Sequence, residues 1–267
     1  MALSANAEAR QGAVDAVLTD LGTVPSGLSY ELFAISDVLG DSAQLRKAVA
    51  EPAFPVDDRR AVARQLFAGK VSAVAISVLE AAIAQNWRSG MALVSAMDRQ
   101  GVRAALLIAE QAGRLDEVEE TLFRFGRIVD GDHQLRTTLA DRNAPLEARV
   151  SLVTTLLQGK VPLETLALAQ RAVAASDHTF DLTLESYLLI SAALRRRSLA
   201  TVVVAHPLTA DQEARLQAAL TAQAGRPVNL MVVVDPSLVG GVKVEIGDEI
   251  IDGSMAGRFD AARRQLA

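Results

Sequence analysis

The sequence predicts a mainly α-helical protein that ends in a small α+β domain: two six-helix bundles followed by a domain of order β-α-β-β-β-α. Hydrophobic residues make up 50% of the 267 residues, whereas aromatic residues make up only 4%. This balance is typical of helices that pack closely on small side chains. A long helix-forming segment occurs twice along the chain, and beyond residue 198 the pattern changes to short β-branched runs separated by turns.

The two bundles are predicted from an internal repeat with an offset of 90 residues. Residues 44–84 and 134–174 share 12 identical positions without a gap, where chance gives roughly three. Two unrelated amphipathic helices could share apolar positions, but here the prolines and glycines that punctuate helices recur as well. We therefore predict copy one at 1–105 and copy two at 106–198. The recurring residues include Gln44, Leu45, Arg46, Pro55, Arg59 and Gly69, which match Gln134, Leu135, Arg136, Pro145, Arg149 and Gly159.

The helices of the two copies are predicted to meet without a loop. In copy two, Leu115, Val118 and Leu122 recur at helical spacing and so lie on one face of its first long amphipathic helix. Before that helix, helix-forming residues run from Gly90 to Ala112 with only Gly101 as a weak point. The last helix of copy one is therefore expected to continue into the first helix of copy two, which holds the copies in a fixed relation.

The C-terminal domain, residues 199–267, is predicted as a small sheet covered by helices. Thr209 and Gln212 have the spacing of a capping box at the start of its first helix. Val242, Val244 and Ile246 alternate with polar residues, which is typical of a strand with one buried face. The predicted order is strand 200–205, helix 210–224, strand 228–234, strand 242–246, strand 250–251 and a last helix 254–266.

Composition excludes several classes of function. A formal net charge of −5 and few aromatic residues disfavour nucleic acid as a partner. The absence of cysteine excludes disulfides, thiolate metal sites and thiol nucleophiles. No apolar run approaches the roughly 18 residues of a membrane helix, and the N-terminus lacks the pattern of a secretory signal. If the protein works at a membrane, we expect another component to hold it there.

Two groups of residues near the C-terminus invite a ligand-binding interpretation. Gly240 and Gly241 could cradle a phosphate, but they lack the lysine-serine ending of a P-loop and the spacing of the dinucleotide fingerprint. Glycines at a hairpin account for them better. Four carboxylates could converge on a cation, yet each is predicted at a turn or a strand end, where carboxylates are common. These are Asp235, Asp248, Glu249 and Asp252.

No catalytic, metal or cofactor site is predicted elsewhere. The histidines are His133, His178 and His206, which lack the i, i+4 spacing of a metal pair. Asp177 and His178 resemble part of a catalytic relay, but adjacent polar residues in an interhelical loop are more often simply exposed. The arginines 195–197 suit the C-terminal end of a helix, and an acidic partner surface is the alternative interpretation.

One C-terminal motif resembles a known family. Residues 234–244, followed by residues 250–254, resemble the signature of the delta subunit of F-type ATP synthases, which is the oligomycin-sensitivity-conferring protein of mitochondria. The resemblance covers about 106–267. The extra copy at 1–105 is similar to the actinobacterial form, in which the helical domain is duplicated. The motif residues are Asp235, Pro236, Gly240, Gly241, Asp252, Gly253 and Ser254.

The resemblance implies a non-catalytic subunit of the peripheral stalk, or stator. Such a subunit links the α/β catalytic head to the b-type stalk helices, so that proton-driven rotation is coupled to ATP synthesis. It implies a peripheral position at the cytoplasmic side of a bacterial cell membrane, held there through the complex. The alternative is a free-standing helical adaptor that binds amphipathic helices outside ATP synthase.

The resemblance also implies two docking surfaces. In this family the helical domain receives the N-terminal helices of α subunits, and the C-terminal domain grips the b helices. We assign Leu115, Val118 and Leu122 to α binding as one hypothesis. Since one sequence does not separate a groove face from a core face, these residues are equally suited to a core. The same holds for the residues assigned to b binding, which are Met255, Phe259 and Leu266.

Overall fold

The computed structural model describes residues 5–175, 179–224, 228–235, 238, 241–246 and 249–252. It confirms the predicted fold class, since the described chain is mainly helical and has a small sheet near its C-terminal end. The chain divides into two compact units, Met1–Leu188 and Leu189–Ala267. The finer division of the first unit at residue 105 stays a prediction.

The first unit consists of helices that repeat along the chain. The three helices α3, α4 and α5 begin and end 90 residues before α8, α9 and α10. The helices are α1 (Ala5–Thr19), α2 (Leu28–Asp41), α3 (Ala43–Ala50), α4 (Val56–Phe67), α5 (Ala73–Ala84), α6 (Gly90–Gln111), α7 (Leu115–Gly131), α8 (His133–Ala140), α9 (Leu146–Leu157), α10 (Leu163–Ala174) and α11 (Phe180–Ser198), of which α11 continues beyond the first unit.

The same local contacts hold corresponding helices in place. Gly69 and Gly159 end α4 and α9 with φ angles of +69° and +76°, a conformation that side chains with a Cβ rarely adopt. Arg59 Nη1 donates to the Ile83 carbonyl at 3.0 Å near the end of α5. Arg149 makes the equivalent bond near the end of α10, at 3.2 Å. A cation at a helix C-terminus satisfies carbonyls that have no partner within the helix.

Helix α6 belongs to both copies. It runs without a break from Gly90 to Gln111, which confirms the predicted continuous helix. The repeat offset of 90 residues maps α1 onto residues 95–109 and α11 onto residues 90–108, so α6 stands at the repeat position of both helices. Side chains all around its second half are buried, as expected for a helix enclosed by neighbours. This shared helix makes the two copies parts of one compact unit.

The second unit contains a four-stranded sheet. The strands are β1 (Leu199–Val204), β2 (Asn229–Val234), β3 (Val242–Ile246) and β4 (Glu249–Asp252), and helix α12 (Ala210–Ala224) connects the first two. The spatial order is β2-β1-β3-β4, in which β1 and β2 are parallel and the other pairs are antiparallel. A parallel pair requires such a crossover helix.

Sequence patterning determines which face of this sheet is buried. Val202 and Val244 pack in a core with Leu220 of α12, whereas Lys243 and Glu245 are exposed, as their alternation predicts. The predicted capping box is present, because Thr209 N donates to Gln212 Oε1 at 2.9 Å and the reciprocal bond is 3.3 Å. The predicted last helix, 254–266, lies outside the described residues.

Candidate functional site

The residues assigned to α binding lie on the inner face of α7. Leu115, Val118 and Leu122 are all buried within the first unit. Further along the same face, the Phe125 ring meets the Phe180 ring of α11 edge to face, with 5.7 Å between the centroids. In this structure the three residues therefore serve the core, and their contact with a partner stays a prediction.

The C-terminal site residues are only partly within the described chain. Seven of them lie outside it, namely Pro236, Gly240, Gly253, Ser254, Met255, Phe259 and Leu266. Asp235 directly follows β2, where its N–H donates to the Val204 carbonyl at 2.9 Å and its carbonyl accepts from Leu238 N. Gly241 has a φ of +88°, so the turn before β3 requires a glycine at that position. Asp252 pairs with Lys243 in the register of β3 and β4.

The outer side of α7 forms an open groove with the first part of α11. Phe123 and Leu188 contribute its apolar surface, and Asp116, Glu119 and Glu120 contribute carboxylates. The groove has a volume of about 430 Å³. We call these five residues the Phe123 groove. Helical periodicity did not identify it, because Phe123 falls outside the apolar stripe of α7. An aromatic residue outside that stripe was the available signal.

Copy one carries the corresponding surface in a covered form. Phe33 stands 90 residues before Phe123 and Asp98 stands 90 residues before Leu188. The Arg171 guanidinium of α10 lies over the Phe33 ring, 4.9 Å from its centroid. Arg171 Nε also donates to the Asp98 carboxylate, and Arg171 Nη1 lies 2.5 Å from Asp37 Oδ1. A side chain of copy two thus covers the aromatic residue of copy one through a cation–π contact and two ion pairs.

The environment of Arg171 keeps this side chain charged. Burial alone lowers its pKa, but the nearby charges and hydrogen bonds of Asp98 and Asp37 outweigh burial and raise the pKa of Arg171 above its ordinary value. A largely buried cation is stable only when carboxylates compensate for its lost hydration. The contact between α10 and α2 is therefore an ionic one.

Close packing in copy one also explains a glycine in the middle of α6. A Cβ added to Gly101 would lie 2.5 Å from Cδ1 of Phe33, closer than carbon atoms approach without strain. Glycine weakens a helix interior, yet here it lets the Phe33 ring lie against the helix backbone. The weak point identified in the sequence is a packing position.

A buried polar cluster holds α1 against α6. The Asp15 carboxylate lies 2.5 Å from Arg99 Nη1 and 3.7 Å from Arg103 Nη1, and it accepts from Gln100 Nε2 at 2.7 Å. Burial raises the pKa of Asp15, but the Arg99 hydrogen bond, both arginine charges and Gln100 together lower that pKa below its ordinary value. The repeat positions of Asp15, Arg99 and Arg103 in copy two are Ala105, Leu189 and Ala193.

Potential metal ligands are dispersed through the part of the chain that the structure describes. Within it, no three histidine, aspartate or glutamate side chains are grouped so that they could hold a metal ion. His133 lies on α8, 3.3 Å from Arg136, His206 follows β1, and His178 is outside the described ranges. None of the described helices combines the length and the apolar character needed to cross a membrane.

Comparison with known proteins gives a consistent set of relatives. Residues 99–266 match the family described as ATP synthase delta (OSCP) subunit. The chain is 40% identical over 236 residues to ATP synthase subunit delta of Cutibacterium acnes, covering 88% of this chain and 90% of that protein. It is 38% identical over 264 residues to the protein of the same name from Kineococcus radiotolerans, covering 98% and 96%. The relative from Nocardia farcinica is 39% identical over 255 residues.

Proposed function

Because the chain belongs to the ATP synthase delta (OSCP) subunit family, we propose that it is a non-catalytic connector in the peripheral stalk of a bacterial ATP synthase. In this proposal it links the α/β head to the b-type stalk helices, so that proton-driven rotation is coupled to ATP synthesis. The observation that carries the proposal is the family match over residues 99–266. Catalysis is assigned to other subunits of the complex.

The shared helix α6 supports a role under mechanical load. A stator must resist rotation of the head, which a flexible tether between domains would not do. In this chain the two copies share α6, and Arg171 joins α10 to Asp37 of α2 and to Asp98 of α6. Relative motion of the copies would have to break these partly buried ionic contacts and the packing of a long enclosed helix.

The proposal places two kinds of partner on different parts of the chain. N-terminal helices of α subunits dock on copy two, and C-terminal helices of a b-type subunit dock on the second unit, through the region of Met255, Phe259 and Leu266. Several contacts made at once give avidity that one contact does not supply. Association with the cytoplasmic side of the cell membrane follows from membership of the complex.

Purification of the intact complex tests this function. We expect the tagged full chain, expressed in its own host and extracted in mild detergent, to recover α, β and b-type subunits. Membranes that lack the chain should lose proton pumping driven by ATP, and the wild-type gene should restore it. Recovery of the tagged chain without α, β and b-type subunits, together with unchanged pumping, would overturn the proposal and favour the free-standing adaptor.

A further inference from the structure

The two edges of the described sheet differ in their protection against pairing with another strand. Strand β2 forms one edge, since the order β2-β1-β3-β4 gives it a single neighbour. Its six residues, Asn229–Val234, include no charged residue. At the opposite edge, β4 has four residues and carries a carboxylate at each end, Glu249 and Asp252. Short length and charge are common means of keeping an edge strand from pairing with another chain. In this sheet they are found at β4 and not at β2.

Alternate residues of β2 direct their backbone groups away from the sheet. The Asp235 N–H donates to the Val204 carbonyl at 2.9 Å, and a parallel strand bonds its neighbour through every second residue. The odd-numbered residues of β2 therefore face β1. The N–H and C=O groups of Leu230, Val232 and Val234 point to the outer edge, beyond which the described sheet has no further strand. Such groups require hydrogen-bonding partners.

The side chains of β2 leave apolar surface open at the same edge. Met231 and Val233 lie on the face opposite α12 and are 46% and 42% exposed. On the face that α12 covers, Leu230 and Val232 are only partly buried against the core of the second unit. A strand placed beside β2 would therefore cover apolar surface on both faces of the sheet.

We infer that β2 pairs antiparallel with β2 of a second molecule of this chain, in the register that sets Val232 opposite the same residue of the other molecule. In that register Leu230 of each molecule stands opposite Val234 of the other. All three outward-facing residues then exchange hydrogen bonds across the pair, as alternate residues of an antiparallel ladder do. On the exposed face, Met231 stands opposite Val233. The inference concerns the chain by itself and does not depend on the proposed function.

A second molecule of this chain meets every requirement that the edge sets. A matching strand must turn backbone groups toward β2 at alternate residues and must place apolar side chains on both faces. β2 itself does both, and self-pairing brings no like charges together because the strand has none. A charged segment of another protein would gain no ion pair from β2. The symmetric contact uses the β2 edge of both molecules, so the assembly closes at two.

The mass of the full chain in solution tests the inference. Only six residues of each molecule lie in the strand pair, whereas a standard interface has roughly 20–30 residues a side, so the dimer should dissociate on dilution. In sedimentation equilibrium the mass should rise from 28.3 kDa toward twice that value between about 1 μM and about 1 mM protein. A mass of 28.3 kDa at every concentration overturns the inference, also where a strand of another protein is found on this edge.

Variants of the full chain assign the contact to the β2 edge. Met231→Lys adds a charge to the edge and Val232→Pro removes the outward N–H at its centre, so each should weaken the dimer by about tenfold or more. Thr201→Lys is the matched control and should leave the dimer unchanged, because Thr201 stands beside Met231 on the same face but belongs to β1. Equal dimer formation by the Met231→Lys and Thr201→Lys variants, at the same unfolding temperature, overturns the inference.

Single cysteines test the register, because the chain has none of its own. Opposed residues in a hydrogen-bonded antiparallel pair have Cα atoms about 5.5 Å apart, within the range of a disulfide. Val232→Cys should therefore give a covalent dimer under mild oxidation. Leu230→Cys is the control on the same face and should not, since its two Cα atoms would be about 14 Å apart. Equal crosslinking of the two variants, or none at position 232, overturns the inference. Recovery of synthase subunits, which tests the proposed function, is independent of these results.

Discussion

Phe33 and Phe123 occupy the same position in two copies of one helix, yet their surroundings differ. Phe33 is 7% exposed beneath Arg171 and against Gly101, whereas Phe123 is 58% exposed at the edge of a groove. Duplication has therefore produced a covered and an open version of one surface. The covered version joins the copies to each other, and the open version is accessible to another protein. The contrast shows that one repeated position can be covered in one copy and exposed in the other.

The two copies also differ in their buried polar contacts. Copy one is held by the Asp15 cluster at α1 and by Arg171 at α2. At the repeat positions of the Asp15 cluster, copy two has only apolar residues. Since buried ion pairs act through shape and charge together, they fix one arrangement of helices in preference to others. Substitutions at these contacts should affect copy one far more than exposed changes affect copy two.

The largest expected effect is that of Asp15→Asn. The change removes the charge that compensates the buried Arg103, and the loss of one partner of a buried pair costs about 3–5 kcal/mol. Unfolding of the full chain in urea, followed by circular dichroism, should show this loss. Glu117→Gln, on the exposed side of α7, is the control and should change stability by less than about 0.5 kcal/mol. A similar small effect for both variants would contradict the buried role of Asp15.

The cost of Asp15→Asn should depend on pH. Since the pKa of Asp15 is lower in the folded chain, its carboxylate stabilises the fold above the unfolded pKa of about 3.9. This stabilisation is lost as the pH falls through the folded value. The difference in stability between wild type and variant should therefore be constant near neutrality and shrink below about pH 4. Urea unfolding at several pH values measures the difference, and a constant difference down to pH 2 would argue against a lowered pKa of Asp15 in the folded chain.

Arg171→Ala should have the next largest effect, because it uncovers Phe33 and removes the cation that lies beside Asp37 and Asp98. Hydrogen bonds to charged groups contribute roughly 1.5–3 kcal/mol. Arg171→Lys keeps the charge but not the planar group, so it should recover only part of this stability. Hydrogen exchange of α2 amides, measured in the full chain, should rise in the alanine variant. Unchanged exchange in α2 would show that Arg171 does not join the copies.

Gly101→Ala tests close packing at Phe33. The added methyl group must displace the Phe33 ring, and overpacking of this kind costs about 1–3 kcal/mol. Gly126→Ala on α7 is a matched control, because its Cβ would meet Leu184 Cδ1 at an ordinary 3.5 Å. Better helix propensity should then stabilise the control by about 0.5–1 kcal/mol. Thermal unfolding of both variants measures the contrast, and shifts of the same sign would refute it.

Phe123→Ser should have the smallest effect on stability. The ring is mostly exposed, so its removal should change the free energy of unfolding by less than about 0.5 kcal/mol. The same change should leave less apolar surface open to non-specific association. Thermal unfolding and static light scattering of the purified full chain measure the two effects. A loss above about 2 kcal/mol would mean that Phe123 belongs to the core.

The regular parts of this structure could be predicted from local patterns, and the exposed surface around Phe123 could not. Helices α3 to α5 and α8 to α10 follow from proline and glycine punctuation, and the unbroken α6 follows from its helix-forming residues. Periodicity selects the residues that face a core, which is why it led to Leu115, Val118 and Leu122. Phe33 is covered because Arg171 reaches it from α10, far along the chain, whereas Phe123 stays exposed. No local pattern contains such a relation between distant helices.

Site-specific photocrosslinking in native membranes tests the central claim most directly. A photoreactive phenylalanine analogue is placed at Phe123 in one tagged full-length variant and at the equally exposed Tyr30 in another. Because the proposed function places the N-terminal helices of α subunits on copy two, position 123 should crosslink to an α subunit near its N-terminus, and position 30 should not. Crosslinks to α from position 30 alone, or from neither position in an intact complex, would contradict the account.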